Sequence, residues 1–380
     1  MSELQPGQVL THLEIGPVAH GGHFVARHEG RVVFVRHALP DEVVDVRLTQ
    51  VTRRFARADA IAVHQASPHR VVPPCPIATR CGGCDFQHVE PGYARELKRR
   101  VVAELLGHLA GYDFTGEVEE VEPSPLGWRR RMRYHVDQEG RPGLRAHRSG
   151  EVVALPEGGC RIADPAIASP PRLPGRAGGE LLGVVATSGT GFMRSDEPET
   201  LTEVVGELSY LVDADGFWQA HASAPRVLLE RVLSGLEPKA GERALDLYCG
   251  VGLFAGALAK RDLRVWGVEG DKRAVVLAQR NVPSARFVAG DVARRFAQLP
   301  EQADLVVLDP PRTGAGAGVL AAVAARGPRA IAYVACDPAA LGRDLRTLAD
   351  LGYQPTSLSA HDLFPMTHHV ECVAILEPRR

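Results

Sequence analysis

The sequence predicts an α/β protein whose C-terminal part is a Rossmann-like, doubly wound sheet, preceded by two smaller β-rich domains. Three observations predict this class. From about residue 222, apolar strand segments alternate with amphipathic helical segments, as in βαβ units. A turn with two glycines follows the first of these strands. Residues 1–66 instead alternate apolar and polar residues in short runs, which is typical of half-buried strands.

The composition is that of an ordinary globular protein. The chain has 380 residues, a formal net charge of −2 and 24% charged residues. No apolar run approaches the length of a membrane span, and the N-terminus lacks a secretory pattern, so we expect a cytoplasmic protein that does not bind membranes. A net charge near zero does not indicate nucleic-acid binding, which would have to come from local basic patches.

The chain divides into three predicted domains. Residues 1–66 predict a small β-barrel of the oligonucleotide-binding kind. Residues 67–220 predict a β-rich central domain with a helix at 91–110 that we expect to pack on the C-terminal domain. Proline and glycine crowd positions 165–191, where we predict loops. Residues 221–380 form the doubly wound domain.

A cofactor site is predicted at the first strand of the C-terminal domain. The segment "ALDLYCGVGLFA" reads as a strand, a turn with Gly250 and Gly252, and a helix. The full G-x-G-x-x-G pattern is absent, which disfavours a pyrophosphate cradle. Glu269 ends the next strand and can accept hydrogen bonds from both hydroxyls of a ribose, and Asp291 after the third strand can meet an adenine amino group. This set indicates S-adenosylmethionine.

Two further residues come at the ends of the next strands. Asp309, in "LDPPRTG", is predicted to face the crevice at the carboxyl edge of the sheet, with Arg312 nearby as a substrate contact. Cys336 ends the fifth strand, and Asp337 and Pro338 are suited to the N-cap and first position of a helix. A helix N-terminus lowers the pKa of a thiol, so Cys336 is predicted to be a nucleophile. Cys249 and Cys372 lack such a helix start and are predicted to lie in the core.

A carboxylate completes the predicted chemistry. Glu371 opens the last strand and can act as a base over the same crevice. A thiolate, a carboxylate and a methyl donor together suggest methylation at carbon 5 of a pyrimidine. Addition of the thiolate to carbon 6 makes carbon 5 nucleophilic, and a base then removes the carbon 5 proton so that the thiolate is eliminated.

The remaining cysteines form a separate motif. Cys75, Cys81 and Cys84 are separated by five and then two residues, and Cys160 follows at a distance. In a cytosolic chain this pattern suits a tetrathiolate site, which holds either zinc or an iron–sulfur cluster.

These motifs together resemble the RNA (uracil-5-)-methyltransferase family over nearly the whole chain. Residues 1–66 resemble its TRAM domain, an RNA-binding module. The segments "CPIATRCGGCDFQH", "DLYCGVG", "VEGD", "LDPPR", "ACDP" and "FPMTHHVE" follow in the family's order. The resemblance implies that Cys336 is the nucleophile and Glu371 the base, that Gln219 and Tyr248 join the cofactor and base contacts, and that the four cysteines hold a [4Fe-4S] cluster.

An RNA substrate is therefore expected. The segment "WRRRMR" places Arg129, Arg130 and Arg131 close to aromatic residues, a combination that binds single-stranded RNA. The aromatic residues concerned are Phe86, Trp128 and Tyr134. A TRAM-like domain with a cluster motif favours 23S ribosomal RNA over tRNA, and we expect a monomer.

Two other functions fit parts of the sequence. One is a cytosine-5 or amino-group RNA methyltransferase on the same fold, although an amino-group enzyme needs no cysteine. The other is a non-catalytic, RNA-binding iron–sulfur protein. The presence of Cys336, Glu371 and Asp309 together disfavours this second function.

Overall fold

The N-terminal part of the chain folds into a six-stranded sheet. A computed structural model describes residues 4–175, 177–197 and 199–379. The strands are β1 (Val9–Glu14), β2 (Val18–Ala19), β3 (His23–His28), β4 (Arg31–Arg36), β5 (Val43–Val51) and β6 (Phe55–Gln65). They pair in the order β1-β5-β6-β4-β3-β2. Alternate residues such as Val33, Val35, Val44 and Val46 are fully buried, as the period-2 pattern predicts.

A long helix links this sheet to the rest of the molecule. Helix α1 (Pro91–Ala110) begins at Glu90, whose carboxylate accepts hydrogen bonds from the Gly92 and Tyr93 amides, and it ends at Gly111 with a φ of 67°. Strand β7 (Val118–Glu120) follows. Lys98 on α1 is buried and donates to Asp362 Oδ1 at 2.6 Å, so the helix is tied by an ion pair to the C-terminal part of the chain.

The central part contains a five-stranded sheet and a hairpin. The sheet strands are β8 (Arg131–Val136), β9 (Pro142–Arg145), β10 (Val152–Ala154), β11 (Glu180–Ala186) and β12 (Gly189–Arg194), and the hairpin is β13 (Thr200–Val205) with β14 (Leu208–Asp213). A 3₁₀ turn covers Pro165–Ile167. The prediction of loops throughout 165–191 is wrong, because the proline- and glycine-rich stretch ends at Gly179. The apolar run that follows is β11, a central strand between β8 and β12.

The C-terminal part is an eight-stranded sheet with helices on both faces. Its strands are β15 (Arg243–Leu247), β16 (Arg264–Glu269), β17 (Arg286–Ala289), β18 (Leu305–Leu308), β19 (Ala330–Ala335), β20 (Tyr353–Asp362) and β21 (Glu371–Pro378). The strand order is β17-β16-β15-β18-β19-β21-β20-β7. Strands β15 to β19 are parallel, and β21 is antiparallel to β19. Burial on both faces explains why these strands read as continuous apolar runs.

The helices of this domain lie between the strands in sequence. They are α2 (Ala224–Leu236), α3 (Leu253–Ala259), α4 (Lys272–Asn281), α5 (Val292–Arg295), α6 (Ala317–Ala324) and α7 (Pro338–Asp350), with a 3₁₀ turn at Phe296–Gln298. Helix α1 packs closely on α7, since a Cβ on Gly342 would lie 2.9 Å from Leu109 Cβ. Strands β20 and β7 were not predicted, because β20 is largely polar and β7 is only three residues long. No helix among the described residues is both long and apolar enough to cross a membrane.

Candidate active site

A cavity of about 920 Å³ opens at the carboxyl ends of the parallel strands. It brings together most of the residues that the sequence singles out. Its lining includes Arg129, Arg131, Gln219, Tyr248, Gly250, Glu269, Asp291, Asp309, Arg312, Cys336 and Glu371. Gly252 and Arg130 lie outside this lining. Gly252 instead shapes the turn, where its φ of 93° would strain any other residue.

The glycine turn fixes a carboxylate at the cavity wall. Tyr248 and Gly250 both have positive φ, at 65° and 53°, and the turn bends the chain from β15 into α3. The Gly250 amide donates to Glu269 Oε2 at 3.0 Å, and the Asp271 amide donates to Oε1 at 2.8 Å. Two backbone donors therefore hold Glu269 in one orientation, with further lone pairs on each oxygen for a ligand.

Cys336 lies where β19 passes into α7. Asp337 caps the helix, and its Oδ1 accepts from the Ala340 amide at 2.8 Å. Burial, followed by the nearby Glu371 carboxylate, raises the pKa of Cys336 to about 11, whereas Arg312 lowers it. The predicted lowering of this pKa is therefore wrong. Desolvation and a neighbouring carboxylate both disfavour the thiolate.

Glu371 and Cys336 lie next to each other at the end of the β19–β21 pair. The paired register of these antiparallel strands ends with Ala335 opposite Cys372. Cys336 follows Ala335 and Glu371 precedes Cys372, and the Glu371 carboxylate acts electrostatically on the Cys336 thiol. Glu371 is 4% exposed, and burial, with a smaller effect from Asp309, raises its pKa well above the usual range.

Asp309 and Arg312 complete the charged wall of the cavity. Burial, and then repulsion by Glu269, raises the pKa of Asp309 to about 7. Arg312 contacts His369 Nε2 at 3.1 Å, and its charge acts against the raised pKa values of both Cys336 and Glu371. His369 also lines the cavity, although sequence reasoning assigned it no role.

The segment before Glu371 is held by the cysteine-rich segment. The amides of Asp85 and Phe86 both donate to Met366 O, at 2.9 and 3.0 Å. Asp85 Oδ2 contacts His368 Nδ1 at 2.6 Å. Burial, the largest single effect, raises the pKa of Asp85, but the hydrogen bonds and charge of His368, with a smaller effect from Arg36, together outweigh it and bring the pKa to about 2. Sequence reasoning missed Asp85, whose only signal is its place directly after Cys84.

The N-terminal sheet also reaches the catalytic edge. His20 Nε2 lies 3.1 Å from Asp337 Oδ2, beside Cys336. Gly22 packs so closely on His368 that a Cβ there would lie 2.9 Å from His368 Cβ. Two elements from outside the C-terminal sheet therefore support the segments that carry Cys336 and Glu371.

The arginines of "WRRRMR" differ in their surroundings. Arg131 Nη2 pairs with Glu203 Oε1 at 3.2 Å, and Arg130 lies 3.9 Å from the same carboxylate. Arg129 donates to Arg131 O and faces the cavity. The aromatic side chains predicted to stack on RNA are buried instead, so that prediction is wrong. Each of these rings lies on the inner face of its segment and packs in the core. The three residues are Phe86, Trp128 and Tyr134.

The four cysteines of the predicted metal motif gather in one buried group. Cys75, Cys81, Cys84 and Cys160 are all buried and form no disulfide with another described cysteine. The thiols of Cys75, Cys81 and Cys160 influence one another electrostatically, as do those of Cys81, Cys84 and Cys160. The Gly83 amide donates to Cys81 Sγ at 3.4 Å. Within the described ranges, no three of these sulfurs lie within 4.8 Å of one another.

Comparison with known proteins identifies the family. The family profile described as tRNA (Uracil-5-)-methyltransferase matches residues 196–379, and that of the TRAM domain matches residues 4–61. An uncharacterized RNA methyltransferase of Streptomyces avermitilis is 44% identical, over 96% of this chain and 98% of that protein. The chain belongs to the RNA (uracil-5-)-methyltransferase family. The resemblance inferred from its motifs is thereby confirmed.

Further relatives of this methyltransferase family agree. The 23S rRNA (uracil(1939)-C(5))-methyltransferase RlmD of Shewanella amazonensis is 32% identical, over 96% of this chain and 95% of its own. The sequence of Pyrococcus abyssi tRNA (uracil-54, C5)-methyltransferase is 22% identical to this chain. Its crystal structure, in complex with S-adenosyl-L-homocysteine, superposes with a TM-score of 0.71 over 96% of this chain and 100% of the Pyrococcus chain. The predicted fold class is confirmed by this likeness.

The charges around Cys336 predict how its reactivity responds to substitution. Arg312→Gln removes a cation that lowers the Cys336 pKa, so the thiolate fraction and the alkylation rate fall at each alkaline pH. Glu371→Gln removes a carboxylate that raises the same pKa, so the rate increases. Iodoacetamide labelling of the Cys336 peptide, followed by mass spectrometry across the alkaline range, measures both effects.

The matched control is Arg280→Gln, which removes an exposed arginine from the last turn of α4. It should leave the labelling rate of Cys336 unchanged. If Arg312→Gln and Glu371→Gln were both labelled at the wild-type rate, this result would contradict the electrostatic account of the site.

Proposed function

We propose that the protein transfers a methyl group from S-adenosylmethionine to carbon 5 of a uridine in structured RNA, with 23S ribosomal RNA favoured over tRNA. The observation that carries this proposal is that Cys336 and Glu371 lie together at the end of the β19–β21 pair, inside the cavity that Glu269 and Asp309 also line. An amino-group methyltransferase or a non-catalytic RNA-binding protein has no use for this pair.

The cavity residues fit the methyl donor. Glu269, held by two backbone amides, would accept hydrogen bonds from ribose hydroxyls, and Asp291 would meet the adenine amino group from the rim. Gln219 and Tyr248 line the remaining wall. When bound, S-adenosylmethionine supplies an electrophilic methyl group on a sulfonium.

The chain's own residues carry the covalent steps. Cys336 Sγ loses its proton to solvent and bonds to carbon 6 of the uracil, and the electrons of the C5=C6 double bond move towards O4. Carbon 5 then takes the methyl group, and the electrons of the broken sulfur–methyl bond would stay on the donor sulfur as a neutral thioether. Glu371 takes the proton from carbon 5, the C5=C6 bond re-forms, and the Cys336–C6 bond breaks to return the thiolate.

The burial of Glu371 and the charge of Arg312 suit the two proton-transfer and covalent steps. A carboxylate with a raised pKa binds a proton strongly, so Glu371 is a better base than an exposed glutamate once it is ionised. Arg312 favours the anionic forms of both Cys336 and Glu371, because its charge lowers both pKa values. We propose that Asp309 and Arg312 also contact the substrate base, and that Arg129, Arg130 and Arg131 contact the RNA.

The preference for 23S ribosomal RNA rests on the relatives. The proteins of Shewanella amazonensis and Shewanella piezotolerans, at 32% and 30% identity, are both named 23S rRNA (uracil(1939)-C(5))-methyltransferase RlmD. The TRAM domain supports an RNA partner. A cytoplasmic location and a monomeric state stay predictions.

We further propose that Cys75, Cys81, Cys84 and Cys160 bind a [4Fe-4S] cluster rather than zinc. Both kinds of site need four thiolates in one group, and these four cysteines are buried close enough to act on one another electrostatically.

Donors and cations around the thiols also support a cluster. Amides of Gly83, Ile162 and Ala163 point at the sulfurs of Cys81 and Cys160. Arg36 is 6% exposed, and its Nη2 has no hydrogen-bond partner among the described residues, while its charge acts on Cys81. Hydrogen bonds and nearby charge are the means by which proteins stabilise such clusters.

The cluster proposal predicts the metal content of the protein. Anaerobically purified protein should contain about four iron atoms and four sulfides per chain, with a broad visible absorbance. Cys84→Ser should lose most of both, and Cys249→Ser, at a cysteine outside the motif, should lose neither. Stoichiometric zinc without iron would contradict the cluster and favour the alternative.

The proposed reaction is tested by trapping. Fluorine at carbon 5 cannot leave as a proton, so the wild-type protein with S-adenosylmethionine should form a stable covalent adduct with 5-fluorouridine-containing 23S ribosomal RNA. Cys336→Ala should form none. Cys249→Ala, at a cysteine that lines the same cavity, should retain the adduct.

Denaturing electrophoresis and mapping of the trapped nucleotide provide the measurement. An adduct on tRNA but not on ribosomal RNA would contradict the preference for 23S ribosomal RNA and identify tRNA as the substrate. The absence of an adduct on either RNA would contradict the mechanism.

A further inference from the structure

A group of three potential ligands lies on the outer surface of the N-terminal sheet, apart from the cavity and the four-cysteine group. His12, Asp45 and His64 come from three strands that are neighbours in the sheet, β1, β5 and β6. Val44 and Val46, on either side of Asp45, are fully buried, so Asp45 points away from the core of the sheet. Both histidines are exposed.

Two β-bulges place the histidines next to this aspartate. In the pairing of β1 with β5, Leu10 is opposite Val46 and Leu13 opposite Val44, so Thr11 and His12 together oppose Asp45. The second bulge is on β6, where Val63 is opposite Val44 and Gln65 is opposite Val43, so His64 is the extra residue. Bulges redirect side chains, and here two of them, on different strands, direct a histidine to one carboxylate.

The distances suit coordination of a small cation. His64 Nε2 lies 2.8 Å from Asp45 Oδ1, and His12 Nδ1 lies 3.9 Å from the same oxygen. Bonds of about 2.0–2.1 Å to a tetrahedral zinc ion hold ligand atoms roughly 3.4 Å apart, a value between these two distances. All three ligand atoms lie within 4.8 Å of one another, and the imidazole rings are parallel at 4.3 Å. An imidazole binds a metal in the plane of its ring, so the two rings would rotate out of this stacked arrangement to direct both nitrogens at one ion.

We propose that His12, Asp45 and His64 form a binding site for a divalent transition metal of the zinc class. Two imidazole nitrogens and one carboxylate oxygen are ligands that zinc prefers, whereas magnesium and calcium prefer oxygen ligands alone. Three protein ligands leave at least one coordination position open to solvent. The site lies on the N-terminal sheet and does not depend on the methyl-transfer reaction.

Zinc titration of the cluster-containing protein tests the site. After chelator treatment and dialysis, competition with a fluorescent zinc indicator should detect one zinc ion per chain that magnesium does not displace. His64→Gln and His12→Asn should each weaken this binding by about 100-fold or more, since each removes one of three ligands. Asparagine is chosen at position 12 because it tolerates the φ of 55° found there.

The matched control is His108→Gln, which removes an exposed histidine from the last turn of α1 and should leave zinc binding unchanged. Cluster absorbance and the urea unfolding midpoint show that each variant is folded and that the four cysteines are occupied. Zinc binding that survives in the His12/His64 double variant, or none in the wild type, would overturn the proposal. Either result would leave the trapping test of the methyltransferase unaffected.

Discussion

The antiparallel pairing of β21 with β19 is the constraint on which the active site depends. It brings Glu371 next to Cys336 at the edge of the sheet that lines the cavity. Burial raises the pKa of both groups, with further contributions from Glu371 on Cys336 and from Asp309 on Glu371, and the charge of Arg312 lowers both pKa values. A shift of the register by one residue would turn Glu371 to the opposite face of the sheet.

Contacts from other parts of the chain stabilise this pairing. The amides that follow Cys84 bind Met366 O, and Asp85 binds His368, so the four-cysteine segment supports the loop that leads into β21. Lys98, buried on α1, binds Asp362 at the end of β20, on the other side of the same loop. The cysteine motif therefore supports the position of Glu371 through hydrogen bonds to the preceding loop, and this support requires no electron transfer.

The sequence was sufficient to predict which side chains meet at one cavity, because strand ends in a doubly wound sheet converge on one edge. Cys336, Glu371, Asp309 and Glu269 were predicted from their places at the starts or ends of strands, and all four line the cavity. The pKa of Cys336 was not predictable in this way, since desolvation depends on the surrounding walls. Trp128 and Tyr134 were misassigned because a sequence does not show on which side of a basic strand an aromatic ring is buried.

The most direct test of the division of roles between Cys336 and Glu371 uses Glu371→Gln on RNA with ordinary uridine. With radiolabelled methyl donor, the account predicts a methyl-labelled covalent protein–RNA adduct that accumulates, because carbon 5 has been methylated but its proton is not removed. Adding Cys336→Ala to this variant should abolish the adduct. Wild-type turnover by Glu371→Gln, with free 5-methyluridine and no adduct, would contradict the account.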